Sequence, residues 1–131
     1  MQPITGTILA IDPGGNVGVA MRTPHGEYVT LTIPQIDRHD VYDYLMLEPQ
    51  YVVLEAFTPY QRIDHNMIQV IEMVGGVTAI CRVKHIPLTI QTPAARKAYV
   101  KQAERLAREF HTIHEVDALA HLLRFIHASG L

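Results

Sequence analysis

The sequence predicts an α/β domain built on a mixed sheet with helices on its faces. Three observations lead there. The N-terminal part holds three β-rich segments joined by tight turns. The remainder alternates short apolar strands with helical patterns. And 131 residues amount to one domain, residues 1–131, without repeats or linkers. With 48% hydrophobic residues and no Trp, the chain is neither collagenous nor low-complexity nor disordered. A chain of this length buries a core without disulfides or a structural metal.

The elements follow in order. Thr7 to Ile11 is an apolar run ending at Asp12, and Pro13-Gly14-Gly15-Asn16 is a strong turn signal. Val17 to Met21 resumes as a strand, Thr23-Pro24-His25-Gly26 turns again, and Tyr28 to Ile33 is rich in β-formers. These make an antiparallel meander. A short helix over Asp37 to Leu47 turns Val41, Tyr44 and Leu45 to one side and stops before Pro49. Tyr51-Val52-Val53-Leu54-Glu55 is a buried strand with Glu55 at its end. After a loop from Phe57 to Asn66, a long helix to about Arg82 places Met67, Val70, Ile71, Val74, Val77 and Cys81 at helical spacing. Gly75-Gly76 inside it costs about 1 kcal/mol per glycine, which calls for close packing as the reason. Ile86 to Ile90 is another strand. Thr92-Pro93 reads as an N-cap with Pro at the first helical position, opening a helix to about Phe110. Thr112 and Glu115 form a capping box for a last helix to about Ala128.

Charge separates along the chain. The formal net of −2 argues against a nucleic-acid partner. Yet residues 1–81 carry −6 and residues 82–131 carry +4, so an acidic and a basic feature do different jobs. No apolar run approaches the roughly 20 residues of a membrane span. The N-terminal stretch lacks the pattern of a signal peptide. The lone Cys81 fits a reducing cytosol, so the expected location is the cytoplasm.

Asp12 and Glu55 each end an apolar strand. Either alone is ordinarily a turn-starting or solvent-facing acid. Together with the last helix the balance reverses. There His114, Asp117 and His121 stand at i, i+3 and i+7, on one narrow face opposite the apolar stripe, His121 and Arg124 being its weaker members. Two strand-end carboxylates with a helix-borne Asp and His form a hard-ligand set suited to Mg²⁺ or Mn²⁺. Two such ions would support phosphodiester hydrolysis. A zinc site at His111, His114 and His121 is disfavoured, because the cap at Thr112 leaves His111 outside the helix.

The helix from Pro93 to Phe110 carries Lys97, Lys101, Arg105 and Arg108 on one stripe, with Arg96 beside it and Tyr99, Ala103, Leu106 and Phe110 opposite. Such a stripe is most often a solvated face. Here Glu104 and Glu109 lie off it, so the cations can track a phosphate backbone. A membrane-surface helix is a third option, but the apolar face is needed for the core. In the loop after Glu55, Phe57, Tyr60 and Arg62 are placed to stack on or wedge between bases. For Phe57 a core position is equally good.

Three segments carry a resemblance: Ile8-Leu9-Ala10-Ile11-Asp12-Pro13-Gly14, Val53-Leu54-Glu55, and His114-Glu115-Val116-Asp117-Ala118-Leu119-Ala120. In this order and spacing they resemble the active-site motifs of RuvC-type Holliday junction resolvases, of the ribonuclease H-like superfamily. The resemblance implies a five-stranded mixed sheet with three antiparallel strands, and a homodimer. It implies two Mg²⁺ or Mn²⁺ ions per active site and paired symmetric nicks in a four-way DNA junction. It makes Asp12, Glu55 and Asp117 metal ligands. It gives His114 the fourth position, as a ligand or a proton-handling group.

The chain departs from the family in three ways. It is shorter than cellular members, which points to a small viral-type member. The Gly- and Lys-containing stretch after Thr92-Pro93 is replaced by Arg96 to Arg108. Phe57 stands about one position from the place of the family's aromatic wedge. These departures leave cleavage preference and the use of the family's helicase partners open. The competing readings are a related nuclease acting on RNA or other branched DNA, and a non-catalytic junction-binding protein. A phosphate loop at Asp12-Pro13-Gly14-Gly15-Asn16 of the sugar-kinase and actin-like kind is a further one, but it would need a second domain.

Overall fold

Five strands form one sheet in the order β3-β2-β1-β4-β5: β1 (Ile8–Pro13), β2 (Val17–Arg22), β3 (Tyr28–Ile33), β4 (Tyr51–Glu55) and β5 (Leu88–Gln91). The computed structural model describes residues 4–56, 65–108 and 111–130. The first three strands are the expected antiparallel meander, whereas β4 runs parallel to β1 and β5 parallel to β4. The turns close as their residues dictate. Gly26, at φ 86°, donates its N–H to the Thr23 carbonyl, and Thr23 Oγ1 accepts from the Glu27 N–H. Parallel strands need long crossovers, and helices α1 (Val41–Met46) and α2 (His65–Val83) supply them. Helices α3 (Val100–Leu106) and α4 (Ile113–Ser129) complete the fold. No described helix is long and apolar enough to cross a membrane.

Strand alternation divides the core in two. Ile8, Ala10, Tyr51 and Val53 point to the side of α4, against Val116, Leu119, Leu122 and Phe125. Leu9, Ile11, Val52 and Leu54 point the other way, against Val41, Leu45, Met73, Val77 and Cys81. Strands β1 and β4 are covered on both faces, which is why their sequences read as unbroken apolar runs. Truncating one of these fully buried leucines to Ala would cost about 2–5 kcal/mol.

Three expectations are corrected. The segment before β4 is a 3-10 helix, Gln35–Asp40, followed by the short α1; Val41 and Leu45 are buried and Tyr44 only partly. On α2 the inward residues are Met73, Val77 and Cys81, while Ile71 faces solvent. This helix is apolar on most sides, so its spacing left the buried face unresolved. Of its two glycines, Gly76 packs closely on Tyr42, since a Cβ there would lie 2.4 Å from Tyr42 Oη and the ring would have to shift; Gly75 faces open space. The helix expected from Pro93 to Phe110 is two pieces: a 3-10 helix, Pro93–Tyr99, then α3, which ends where Ala107 turns extended. Thr92 caps by position only, without a side-chain hydrogen bond. Tertiary contacts override the helix propensity of this stretch, because Arg96 is drawn into the polar cluster described below.

Candidate active site

The sheet register builds a polar row. Thr32 of β3 is opposite Gly18 of β2, and Gly18 is opposite Asp12 of β1. In the parallel pair the register ends at Ile11 and Leu54, so the next residues, Asp12 and Glu55, stand side by side. Glu55 is opposite Gln91 of β5. Paired residues share a face, so the row Thr32–Gly18–Asp12–Glu55–Gln91 looks toward α4. Helix α4 lies along it. Glu115 meets Thr32, the His114 backbone sits on Gly18, Asp117 joins the acids, and His121 reaches Gln91.

Three carboxylates converge at the centre. Asp12 and Glu55 are buried, and Asp117 retains 15% side-chain exposure. Arg96 spans two of them: its Nη1 donates to Glu55 Oε1 in a short contact, and its Nε lies 3.2 Å from Asp117 Oδ1. On the other side of Glu55, His121 Nε2 lies 3.6 Å from Oε2, an ion-pair distance beyond hydrogen-bond reach. Burial and the neighbouring Glu55 push the Asp12 carboxyl up to about 9. Burial also acts to raise Glu55, but His121, Asp12 and Arg96 prevail and hold it at about 2. The two adjacent carboxylates thus hold one proton between them, since burial and mutual repulsion disfavour two charges. Asp117 is raised by burial against the opposing pull of Arg96.

This donor set suits a hard divalent cation: carboxylate oxygens from three elements, under-compensated by the cations around them, with a proton where positive charge is wanted. Among the described residues no three His, Cys, Asp or Glu side chains already stand as an ion-binding group, and the Arg96 guanidinium bridges Glu55 and Asp117. Arg96 holds one oxygen of each acid, Glu55 Oε1 and Asp117 Oδ1, so an ion entering there would compete with it for those two atoms.

The His114 ring covers the β1–β2 turn: a Cβ on Gly14 would lie 3.5 Å from His114 Nδ1. A Cβ on Gly18 would lie 2.0 Å from the His114 carbonyl oxygen, so only glycine lets α4 settle this deeply. The capping box at Thr112 and Glu115 forms as expected, and Glu115 does more besides. It is fully buried and accepts from Arg108 Nε at 2.6 Å, Arg108 Nη2 at 3.0 Å and Thr32 Oγ1 at 2.8 Å. Burial would raise its carboxyl, but Arg108, Thr32 and Thr112 hold it down at about 2.

The structure therefore unites Asp12, Glu55 and Asp117, with His114 one turn away. It corrects the basic stripe. Arg96 belongs to the acid cluster, and Arg108 lies beyond the end of α3, in an ion pair with Glu115. Lys97, Lys101 and Arg105 are exposed and make no ion pair among the described residues. Leu106, expected inward, is exposed, and Ala103 is buried as expected. The zinc trio does not converge: His111 is exposed on the Arg108 carbonyl, and His121 is buried against Gln91. Phe57, Tyr60 and Arg62 lie outside the described residues. Sequence reasoning missed Gln91 and underrated His121, although His121 shares the helix face of His114 and Asp117.

No family model matches the chain, and no curated protein matches it in sequence. Solved structures do match it in fold. A Thermus thermophilus RuvC in complex with a Holliday junction substrate superposes with TM-score 0.67 at 18% identity, over 95% of this chain and 96% of that one. A second Thermus thermophilus RuvC structure gives 0.61 at 22% identity, over 95% and 96%. The fowlpox virus Holliday junction resolvase gives 0.55 at 12% identity, over 95% and 99%. The five-stranded mixed sheet with its flanking helices is the ribonuclease H-like fold of these proteins.

Proposed function

We propose that the chain is a divalent-metal-dependent endodeoxyribonuclease that resolves four-way DNA junctions by paired symmetric nicks, acting as a homodimer in the cytoplasm. One observation carries the reading. Asp12, Glu55 and Asp117 come from two parallel strands and a helix, and they meet on one buried floor in a fold shared with junction resolvases. Asp12, Glu55 and Asp117 would hold two Mg²⁺ or Mn²⁺ ions. Bound there, the ions would supply Lewis acidity for water attack and for the leaving oxygen.

The chain's own residues do the rest. The sheet and α4 fix the three carboxylates, and Arg96 balances Glu55 and Asp117 before loading. His114, seated over Gly14, either ligates an ion or exchanges a proton with the reacting oxygens through its ring. Lys97, Lys101 and Arg105 offer exposed positive charge to the phosphate backbone, with Phe57, Tyr60 and Arg62 as further DNA contacts.

A second reading, a non-catalytic junction-binding protein, is favoured by Arg96 already pairing with two of the acids. One experiment separates the two. The protein is incubated with Mg²⁺ or Mn²⁺ and a four-way junction, three-way junction, flap, linear duplex or RNA/DNA hybrid. Symmetric nicks confined to the four-way junction support the resolvase. Binding without nicking supports the second reading. Cleavage of other branched DNA or of the hybrid redirects the assignment to a related nuclease.

A further inference from the structure

His121 stands in a helical stretch that is otherwise apolar: Ala118, Leu119, Ala120, Leu122 and Leu123 surround it in sequence and all are buried. The ring itself is fully buried. A buried polar ring is costly unless partnered, and an aliphatic side chain would suit the core. The ring is partnered on one side only. His121 Nδ1–H donates to Gln91 Oε1 at 2.7 Å, while Nε2 has no hydrogen-bond partner. That orphaned nitrogen faces Glu55 Oε2 at 3.6 Å, and with both ring nitrogens carrying protons it would donate there after a shift of less than about 1 Å. The two oxygens of Glu55 thus have different neighbours, Arg96 at Oε1 and His121 at Oε2. Arg96 is a partly exposed side chain on rotatable bonds, and it competes with any entering ion for Glu55 Oε1. The His121 ring is locked by Gln91, the residue opposite Glu55 in the sheet.

We propose that His121, anchored by Gln91, is a positioning residue that fixes the orientation of the Glu55 carboxylate. The proposal rests on the reading of Glu55 as an ion ligand. Groups behind a ligand that set its orientation typically contribute 10–100-fold to metal affinity.

The probe is Mn²⁺, titrated into the intact metal-free protein with free ion read by electron paramagnetic resonance. His121→Leu should melt no lower than the wild type, because Leu suits its surroundings, yet bind Mn²⁺ about 10–100-fold more weakly. Gln91→Leu should move in the same direction, and His121→Gln should restore part of the affinity. Unchanged Mn²⁺ affinity in a folded His121→Leu would overturn the proposal. Should that variant fail to fold, Gln91→Leu decides, with unchanged affinity again counting against it. If neither the wild type nor Glu55→Gln takes up Mn²⁺, the ion-ligand reading fails. Crystal structures of the metal-free variants then decide the positioning role separately. A Glu55 carboxylate that turns in His121→Leu and returns in His121→Gln upholds it, and one that stays in place overturns it.

Discussion

Glu115 and Asp117 are two residues apart on one helix and live in opposite electrostatic conditions. Glu115 is a single acid with a guanidinium on both its oxygens and hydroxyl donors beside them. Its charge is fully answered, and it ties the start of α4 to β3. Asp117 shares one guanidinium with Glu55, and Asp12 stands in the same cluster, its carboxyl pushed up by burial and by Glu55. The first arrangement is complete as it stands. The second is short of positive charge, and a fold tolerates such a deficit where it serves chemistry. The contrast teaches that burial of a carboxylate says little about its role until its cations are counted.

The sharpest way to break the contrast is Asp12→Asn. Nicking should fall at least about a thousandfold, roughly 4 kcal/mol in the barrier, in a junction-cleavage assay. The metal-free protein should meanwhile gain stability at neutral pH. The folded Asp12 carboxyl sits near 9 rather than its ordinary 3.8, so the folded state binds more protons across that window and loses stability as pH rises through it. Asn removes that loss. Calorimetry at pH 5 and pH 8 checks it, and retained cleavage would exclude Asp12 as a ligand.

Gly18→Ala should disturb both acids at once by lifting α4 from β2. The backbone clash with His114 implies a cost of about 2–3 kcal/mol, read as a melting-temperature drop on the order of 10 °C. Glu115→Gln should cost about 2 kcal/mol at pH 7. The folded carboxyl lies near 2 and the ordinary value is 4.5, so its stabilisation is full above about 4.5 and is lost as pH falls toward 2. The wild type should therefore lose stability across that window more steeply than the variant, in acid-unfolding curves. The smallest effect comes from reversing Lys101 and Arg105 to Glu, which touches neither acid. Junction binding should weaken about tenfold and its salt dependence should flatten, with thermal stability unchanged. Unaltered binding would mean that this face is merely solvated.

Much of this was legible in the chain. Asp12 and Glu55 are marked by standing at the ends of apolar strands, and the capping box at Thr112 fixes where α4 begins, and with it the phase of His114 and Asp117. Arg96 was assigned to the wrong company because the stripe assumed one α-helix. A 3-10 helix advances about 120° per residue against 100°, so over Pro93–Tyr99 the phase slips by roughly 120°. His121 was underrated for a different reason. Its helix face is visible locally, but whether that face meets water or a row of strand ends depends on the register between β4 and β5, which no local pattern encodes. The inward face of α2 was equally hidden, since apolar residues nearly encircle it.

The sheet also acts as a partition. Residues 8, 10, 51 and 53 belong to one layer and residues 9, 11, 52 and 54 to the other, although they alternate in sequence. An inheritable change at Leu9 or Leu54 remodels the α1–α2 side, and its neighbour still presents the same floor to the acids. A change in one layer thus meets a different set of side chains from those that carry the acids, which makes the α1–α2 side the place where this small domain can be repacked farthest from its polar floor.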